Sequence, residues 1–264
     1  MDVPKYSRNI QKKSDMFSDI MMYCRSLLKD HEIAKEAREY LKKRLPKDVP
    51  RFSFGYFPDN YNLNLLEGIF TELRSVGIIW DNYVHYTGVP QKMTFSTFND
   101  HNLIMPYKNL YGNIIGLVGR TLKPNYKELG LSKYKNTQMS KGLSLFGLYN
   151  AKEEIVNKNS VIIVEGQFDC ITCHRFGIKN VVALGSAGFT KYQLFMLLRY
   201  TNNINLLLDS DAAGVKAVER IYKLNETYGN PANIKTFSVP EIYKDIDEFF
   251  CKDEVMAKEF MKCI

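Results

Sequence analysis

Carboxylates gather in three short stretches in the second half of this 264-residue chain. Glu165 is followed one helical turn later by Asp169. Asp209 and Asp211 stand in Leu207-Leu-Asp-Ser-Asp211-Ala-Ala-Gly214, and Asp245 and Asp247 in Tyr243-Lys-Asp-Ile-Asp247-Glu248. Acids brought to one point repel each other unless a cation lies among them, and hard oxygen donors select Mg²⁺ or Mn²⁺. The Asp-Ser-Asp spacing sends two carboxylates out of one turn, and the Ala-Ala-Gly after it lets backbone, and so a phosphate, come close. Metal-assisted chemistry on phosphates is the work such a set does. Taken alone, Asp209 and Asp211 read equally well as an N-capping turn. Asp169 either holds an outer-shell water or simply favours the positive end of a helix.

For these acids to meet, the elements between them must bring three loops to one edge. After about residue 152 short apolar runs alternate with helical patterns. Val161–Val164 precedes a helix reaching about Phe176, Val181–Leu184 precedes one over Lys191–Tyr200, Ile204–Leu208 precedes one over Ala212–Tyr228, and Ile234–Val239 is a fourth run. Such alternation predicts a parallel sheet covered on both faces. The carboxyl ends of its strands form the ligand crevice, and Glu165, Asp209 and Asp245 follow three of those strands. The first half reads differently. Phe17, Ile20, Met21, Cys24, Leu27 and Leu28 recur at helical spacing between Ser14 and Lys29. Further helices are predicted over Glu32–Leu45, before Pro46, and over Leu63–Val76, before Gly77. Leu103–Tyr107 and Asn113–Val118 read as a hairpin turning near Tyr111-Gly112-Asn113. The fold class expected is α/β: an α+β subdomain over residues 1–151, a doubly wound parallel sheet over 152–250, and a helical tail over 251–264.

The net charge of +7 is unevenly spread, at +5 over residues 1–51, +6 over 106–142 and −1 over 152–250. Basic stretches beside an acid-balanced one suggest polyanion binding next to a separate acidic site. Seventeen Tyr and sixteen Phe exclude disorder as the main state. No run of apolar residues is long enough for a transmembrane helix, and Met1-Asp2-Val3-Pro4-Lys5 does not open an export segment, so a cytoplasmic protein is expected. Cys170-Ile-Thr-Cys173-His174 resembles a metal or haem string, but Cys251 and Cys263 are remote, so no zinc is expected and a buried helix is the better reading.

Taken together, Glu165-Gly-Gln-Phe-Asp169, Ala183-Leu-Gly-Ser-Ala187 and Asp209-Ser-Asp211-Ala-Ala-Gly214 resemble the Toprim domain of topoisomerases and primases, and Lys244-Asp-Ile-Asp247-Glu248 resembles its primase branch. Toprim folds also serve nucleases and recombination proteins, so the first half must decide. There, Tyr40-Leu-Lys-Lys-Arg44, Phe52-Ser-Phe-Gly55-Tyr-Phe-Pro58 and Leu103-Ile-Met-Pro106-Tyr resemble, in order, the RNA polymerase core of the DnaG-type bacterial and phage primases. Gly112-Asn-Ile-Ile-Gly116-Leu-Val-Gly119-Arg120, Lys133-Tyr-Lys-Asn136 and Lys141-Gly-Leu-Ser-Leu-Phe-Gly147-Leu-Tyr149 continue the match, which spans about Ser14 to Phe250.

The resemblance implies a nucleotidyltransferase, a DNA primase with DNA-directed RNA polymerase activity, making short RNA primers on single-stranded DNA from ribonucleoside triphosphates during replication. It implies Glu165, Asp209 and Asp211 as catalytic, metal-binding acids, with Asp245, Asp247 and Asp169 as further metal residues and two or more Mg²⁺ or Mn²⁺ ions. Arg120, Lys133 and Lys141 are implied to hold template or nucleotide, with Asn136 beside them; Tyr134, next to Lys133, reads either as a base-stacking ring or as simple packing. The family's zinc-ribbon and helicase-docking domain have no counterpart in this sequence; the replicative helicase, or a zinc-ribbon supplied in trans, is the further partner the resemblance suggests. Asn102 stands where the family carries a basic residue before its Met-Phe-Pro stretch. The alternative is a metal-dependent Toprim nuclease or a strand-binding recombination accessory protein.

Overall fold

The computed structural model describes residues 5–45, 52–86, 89–185, 188–243 and 245–264. Pro46, Ser186, Ala187 and Lys244, which figure in the sequence reading, lie outside the described residues. Two compact units emerge. Of the described residues, the first takes 5–45, 52–107 and 113–139, and the second takes 108–112 and those from 140 on.

In the first unit helix α1 (Lys5–Asp30) starts earlier than the apolar spacing alone suggests. Phe17, Ile20, Met21 and Cys24 form its buried stripe, as their spacing requires. A 3₁₀ turn, Glu32–Ala34, leads into α2 (Lys35–Arg44). The helix expected over Leu63–Val76 is instead a 3₁₀ stretch, Asn60–Ile69, running into α3 (Phe70–Ser75). Asp59 caps its start by accepting from the N–H groups of Tyr61 and Asn62, and Asn62 then leaves helical geometry. Leu63, Leu66, Ile69 and Leu73 still reach the core, so the apolar spacing was read correctly although the helix type was not.

A four-stranded sheet in the order β1-β4-β5-β6 backs this core, from β1 (Gly55–Tyr56), β4 (Leu103–Lys108), β5 (Ile114–Arg120) and β6 (Tyr134–Asn136). Gly112 takes a φ of 92° in the turn between β4 and β5, a conformation that favours glycine. Separate from that sheet stands an antiparallel ribbon, β2 (Ile79–Tyr86) with β3 (Val89–Ser96). Its pairing sets Trp80 against Phe95 and Asp81 against Thr94. Trp80 and Phe95 stack with centroids 6.5 Å apart.

The second unit opens with a 3₁₀ turn, Lys141–Leu143, and α4 (Leu148–Lys158). Its sheet runs β10-β9-β7-β8, with every pair parallel: β7 (Val161–Val164), β8 (Val181–Ala183), β9 (Asn203–Leu207) and β10 (Asn233–Thr236). Helices α5 (Gln167–Arg175), α6 (Lys191–Leu197) and α7 (Ala212–Thr227) alternate with these strands, and α8 (Ile246–Lys252) and α9 (Glu254–Lys262) follow. All four residues of β7 are buried, as befits a central strand. Residues 140–151 pack with this unit, although the sequence pattern suggests a boundary after 151. Phe146 bridges Ala183 antiparallel, and Leu145, Leu148 and Ala151 join the core of the sheet. No helix among the described residues is long and apolar enough to cross a membrane.

Candidate functional site

Three loops at the carboxyl edge of the parallel sheet carry the acids. Past β7 the chain turns through Glu165 and Gly166 into α5. Asp169, in the first turn of that helix, reaches back to accept the Gly166 N–H at 3.0 Å. Past β9 come Leu208 and Asp209, then Asp211, which caps α7. Its Oδ1 accepts from the N–H groups of Ala213 and Gly214, each at 2.9 Å. Gly214 lies so close to the Asp209 carbonyl that a Cβ there would collide with it, which explains the glycine. Beyond β10, Asp245 caps α8 by accepting the Glu248 N–H at 2.8 Å.

Glu165, Asp169, Asp209 and Asp245 line one pocket, together with Val164, Leu207, Leu208, Val239 and Ile246. About 10 Å³ of it is open to a water-sized sphere, room for one water or one bare cation. Asp211 and Asp247 do not line it. Asp211 is exposed and committed to its cap, whereas Asp247, 3% exposed, lies between α8 and α5 and accepts from the Thr172 hydroxyl. Among the described residues no three His, Cys, Asp or Glu side chains form a group able to hold a metal ion. Two of the pocket's acids, Asp169 and Asp245, are instead engaged with backbone N–H groups. The donor chemistry still suits Mg²⁺, which keeps several waters and binds through one or two carboxylates plus substrate phosphates.

Lys141 joins this acidic edge from 24 residues upstream of Glu165. Its Nζ donates to the Gly185 carbonyl at 2.9 Å, and the Gly185 N–H donates to the Glu165 carbonyl at 3.1 Å. One residue thus separates the ammonium from the backbone that carries Glu165. Partial burial lowers the Lys141 pKa from its ordinary value, because desolvation disfavours the charged form.

The other basic residues lie in the first unit. Arg120, at the end of β5, pairs with Tyr134 on β6, and Val118 pairs with Asn136. Arg120 is 7% exposed, and its guanidinium lies among aromatic rings. It donates to the Tyr134 hydroxyl at 2.6 Å and lies 5.2 Å from the ring centroids of both Tyr40 and Tyr134. Lys133 is exposed, with its Nζ 5.8 Å from the Tyr134 ring centroid. The Asn136 Oδ1 is buried and has no hydrogen-bond partner among the described residues.

Sequence reasoning missed three contributors. Thr172 carries no local signal, because its partner is 75 residues away. Gly185 acts through its backbone alone. Gln193 had a readable signal: Thr190 and Gln193 stand at capping-box spacing before an apolar run. The Cys170 and Cys173 thiols are buried in α5, and burial raises both pKa values well above the usual thiol value. Cys170 Sγ and His174 Nε2 both lie within hydrogen-bond reach of the Val181 carbonyl, at 3.3 and 2.9 Å.

Two families match this chain. Residues 23–152 match the DNA primase catalytic core, N-terminal domain, and residues 162–250 match the Toprim-like family. The DNA primase of Aquifex aeolicus is 31% identical over 240 residues, covering 88% of this chain and 45% of its own length. The crystal structure of the Aquifex aeolicus primase zinc-binding and RNA polymerase domains superposes with a TM-score of 0.76 at 29% identity, over 99% of this chain and 62% of that one. A DnaG primase catalytic domain bound to single-stranded DNA superposes with a TM-score of 0.77 over 97% of this chain and 78% of that one; at 23% identity that likeness shows the fold alone. The chain spans under half the length of curated relatives such as the DNA primases of Aquifex aeolicus, Clostridium acetobutylicum and Thermotoga maritima. With the primase core's N-terminal domain in its first half and a Toprim domain in its second, the chain belongs to the DnaG primase family.

Proposed function

We propose that this chain makes short RNA primers on single-stranded DNA from ribonucleoside triphosphates, with a divalent cation at the acidic pocket. The observation that carries the reading is the meeting of Glu165, Asp169, Asp209 and Asp245 in one pocket with Lys141 tied beside Glu165, in a chain of this family. Glu165 and Asp209 are the main metal holders. Asp169 and Asp245 would support them from the same pocket, and Asp211, outside it, would hold the start of α7 in place. A bound Mg²⁺ or Mn²⁺ neutralises phosphate charge and activates a hydroxyl. Lys141 grips the triphosphate. Asp247, buried against Thr172, fixes α8 and with it Asp245. In the first unit Lys133 contacts template phosphate, while Arg120 holds Tyr134 beside it.

The test is incubation with single-stranded DNA, labelled ribonucleotides and Mg²⁺ or Mn²⁺. Short RNA that depends on template and metal is the expected product. Release of nucleotides from the DNA, with added ribonucleotides ignored, would instead identify a nuclease.

A further inference from the structure

Lys141 opens a single 3₁₀ turn, and the segment that presents it is fastened from outside by the start of α6. Gln193 is fully buried. Its Nε2 donates to the Lys141 carbonyl at 3.1 Å and to the Ser144 carbonyl at 2.8 Å, which uses both of its amide protons. Its Oε1 accepts the Thr190 N–H at 2.9 Å. Thr190 Oγ1 donates to the Gly142 carbonyl at 2.6 Å while accepting the Gln193 N–H at 3.2 Å. Three carbonyls within the four-residue stretch 141–144 therefore end on two side chains of one capping box. Ordinary capping explains the bonds between Thr190 and Gln193, but it does not require the three that leave the helix. The far end of the same stretch is Lys141 Nζ on Gly185, next to Glu165.

We propose that Gln193, assisted by Thr190, is a positioning residue for Lys141, setting where its ammonium stands at the acidic edge and hence how tightly the site takes a nucleoside triphosphate. This rests on the reading above that Lys141 meets the nucleotide. Both donors of Gln193 are spent on the backbone of 141–144, so its contribution runs wholly through that segment.

Gln193→Glu separates capping from fastening. A glutamate still accepts the Thr190 N–H, as capping boxes commonly do, but it presents an acceptor to two carbonyls in place of two donors. The probe is ATP with Mg²⁺, titrated against the parent, Lys141→Ala, Gln193→Glu and the double variant. Each single change is expected to raise the ATP Kd about tenfold, the scale of one hydrogen bond to a charged group. The double variant is expected to be no worse than either single one, because both act through one contact. Affinity for single-stranded DNA is expected to stay at the parent value, which a generally loosened fold would not allow. If Gln193→Glu fails to fold, Thr190→Val removes the bond to Gly142, together with the cap on the Gln193 N–H, at similar size, and Thr190→Ser is expected to restore both.

Parent-like ATP binding by Gln193→Glu or Thr190→Val, alongside weakened binding by Lys141→Ala, would overturn the proposal and leave the function intact. Additive losses in the double variant would overturn it as well. Parent-like binding by Lys141→Ala would remove the nucleotide role of Lys141 and the proposal with it, while template-dependent RNA synthesis would still stand or fall on its own assay.

Discussion

Two aspartates two residues apart do different work here, and their sequence spacing could not tell them apart. Asp211 Oδ1 accepts from the N–H groups at the start of α7, whereas Asp209 is one of the residues that line the pocket. The residue at the N-cap of α7 is Asp211 and not Asp209, which makes the Asp209 substitution informative. Asp209→Asn is expected to lower RNA synthesis about a hundredfold or more, because a charge facing the cation is lost. Its metal-free melting temperature is expected to hold or rise, since one repelling carboxylate has left the pocket. Near-parent synthesis would refute the metal assignment. Asp247 shows the same limit of reading: an acid two residues past a functional one looked like its twin, yet burial against Thr172 gives it a structural partner. Lys133 and Arg120 divide in a similar way. Lys133→Ala is expected to weaken single-stranded DNA binding and to reduce the salt slope by about one, with stability unchanged. Arg120→Ala is expected to lower the melting temperature too, because two cation–π contacts of about 0.5–2 kcal/mol each go with it. An Arg120 variant as stable as the parent would show that the tyrosine sandwich contributes nothing.

Among the elements, β7, β8 and β9 were legible because buried strands read as continuous apolar runs, and the helices between them because they alternate with those runs, whereas β10, Asn233-Ile-Lys-Thr236, is mostly exposed and gives a weaker signal. The β2–β3 ribbon was not legible. Its strands carry Asp81, Asn82, His85, Gln91 and Lys92, and they are held by pairing rather than by a buried face, so no alternation marks them. Side-chain contacts fasten the ribbon to α3. Asp81 accepts from Thr94 Oγ1 at 2.8 Å, and lies 3.1 Å from Lys92 Nζ and 3.2 Å from Arg74 Nη2. The hydrogen bond from Thr94 and those from Lys92 and Arg74 lower its pKa to about 2. A carboxyl whose folded pKa lies below its unfolded value stabilises the fold above the unfolded value, and that support is lost as acid takes the pH down through the folded one. The ribbon amides are therefore expected to lose protection from exchange as pH falls from about 4 to 2, and Asp81→Asn is expected to flatten that response. Unchanged protection across the window in the parent would mean the cluster is too solvent-screened to matter.

For the molecule as a whole, charge divided the chain more clearly than hydrophobicity did. Basic surplus falls mostly on residues of the first unit, and the carboxylates that share a pocket belong to the second. The boundary itself was less legible. A one-residue bridge from Phe146 and the fastening of 141–144 carry residues 140–151 into the second unit, and contacts that brief leave no periodic trace. Ligands for the two units are expected to act locally. Mg²⁺ binds native acids better than an unfolded chain does, so it stabilises the unit that holds it. Hydrogen exchange with and without Mg²⁺ is expected to show added protection in 161–169, 203–214 and 245–250, and little change in α1 and β4–β6. The Asp209→Asn variant is expected to lose that difference. Protection that rises evenly over both units would argue against a site confined to the acidic edge.

Trp80 is the chain's one tryptophan, and it lies on the ribbon, 46% exposed and stacked on Phe95. Intrinsic fluorescence excited at the red edge of indole absorption will therefore describe the ribbon and very little else. Its emission should be red-shifted and open to acrylamide in the native protein. A fluorescence melt will register the opening of Trp80's surroundings while the parallel sheet goes unseen, so agreement with a far-ultraviolet dichroism melt cannot be assumed. Moving the indole to Phe189, a partly buried residue packed on the sheet's core, in a Trp80→Phe background would give the second unit an optical signal of its own.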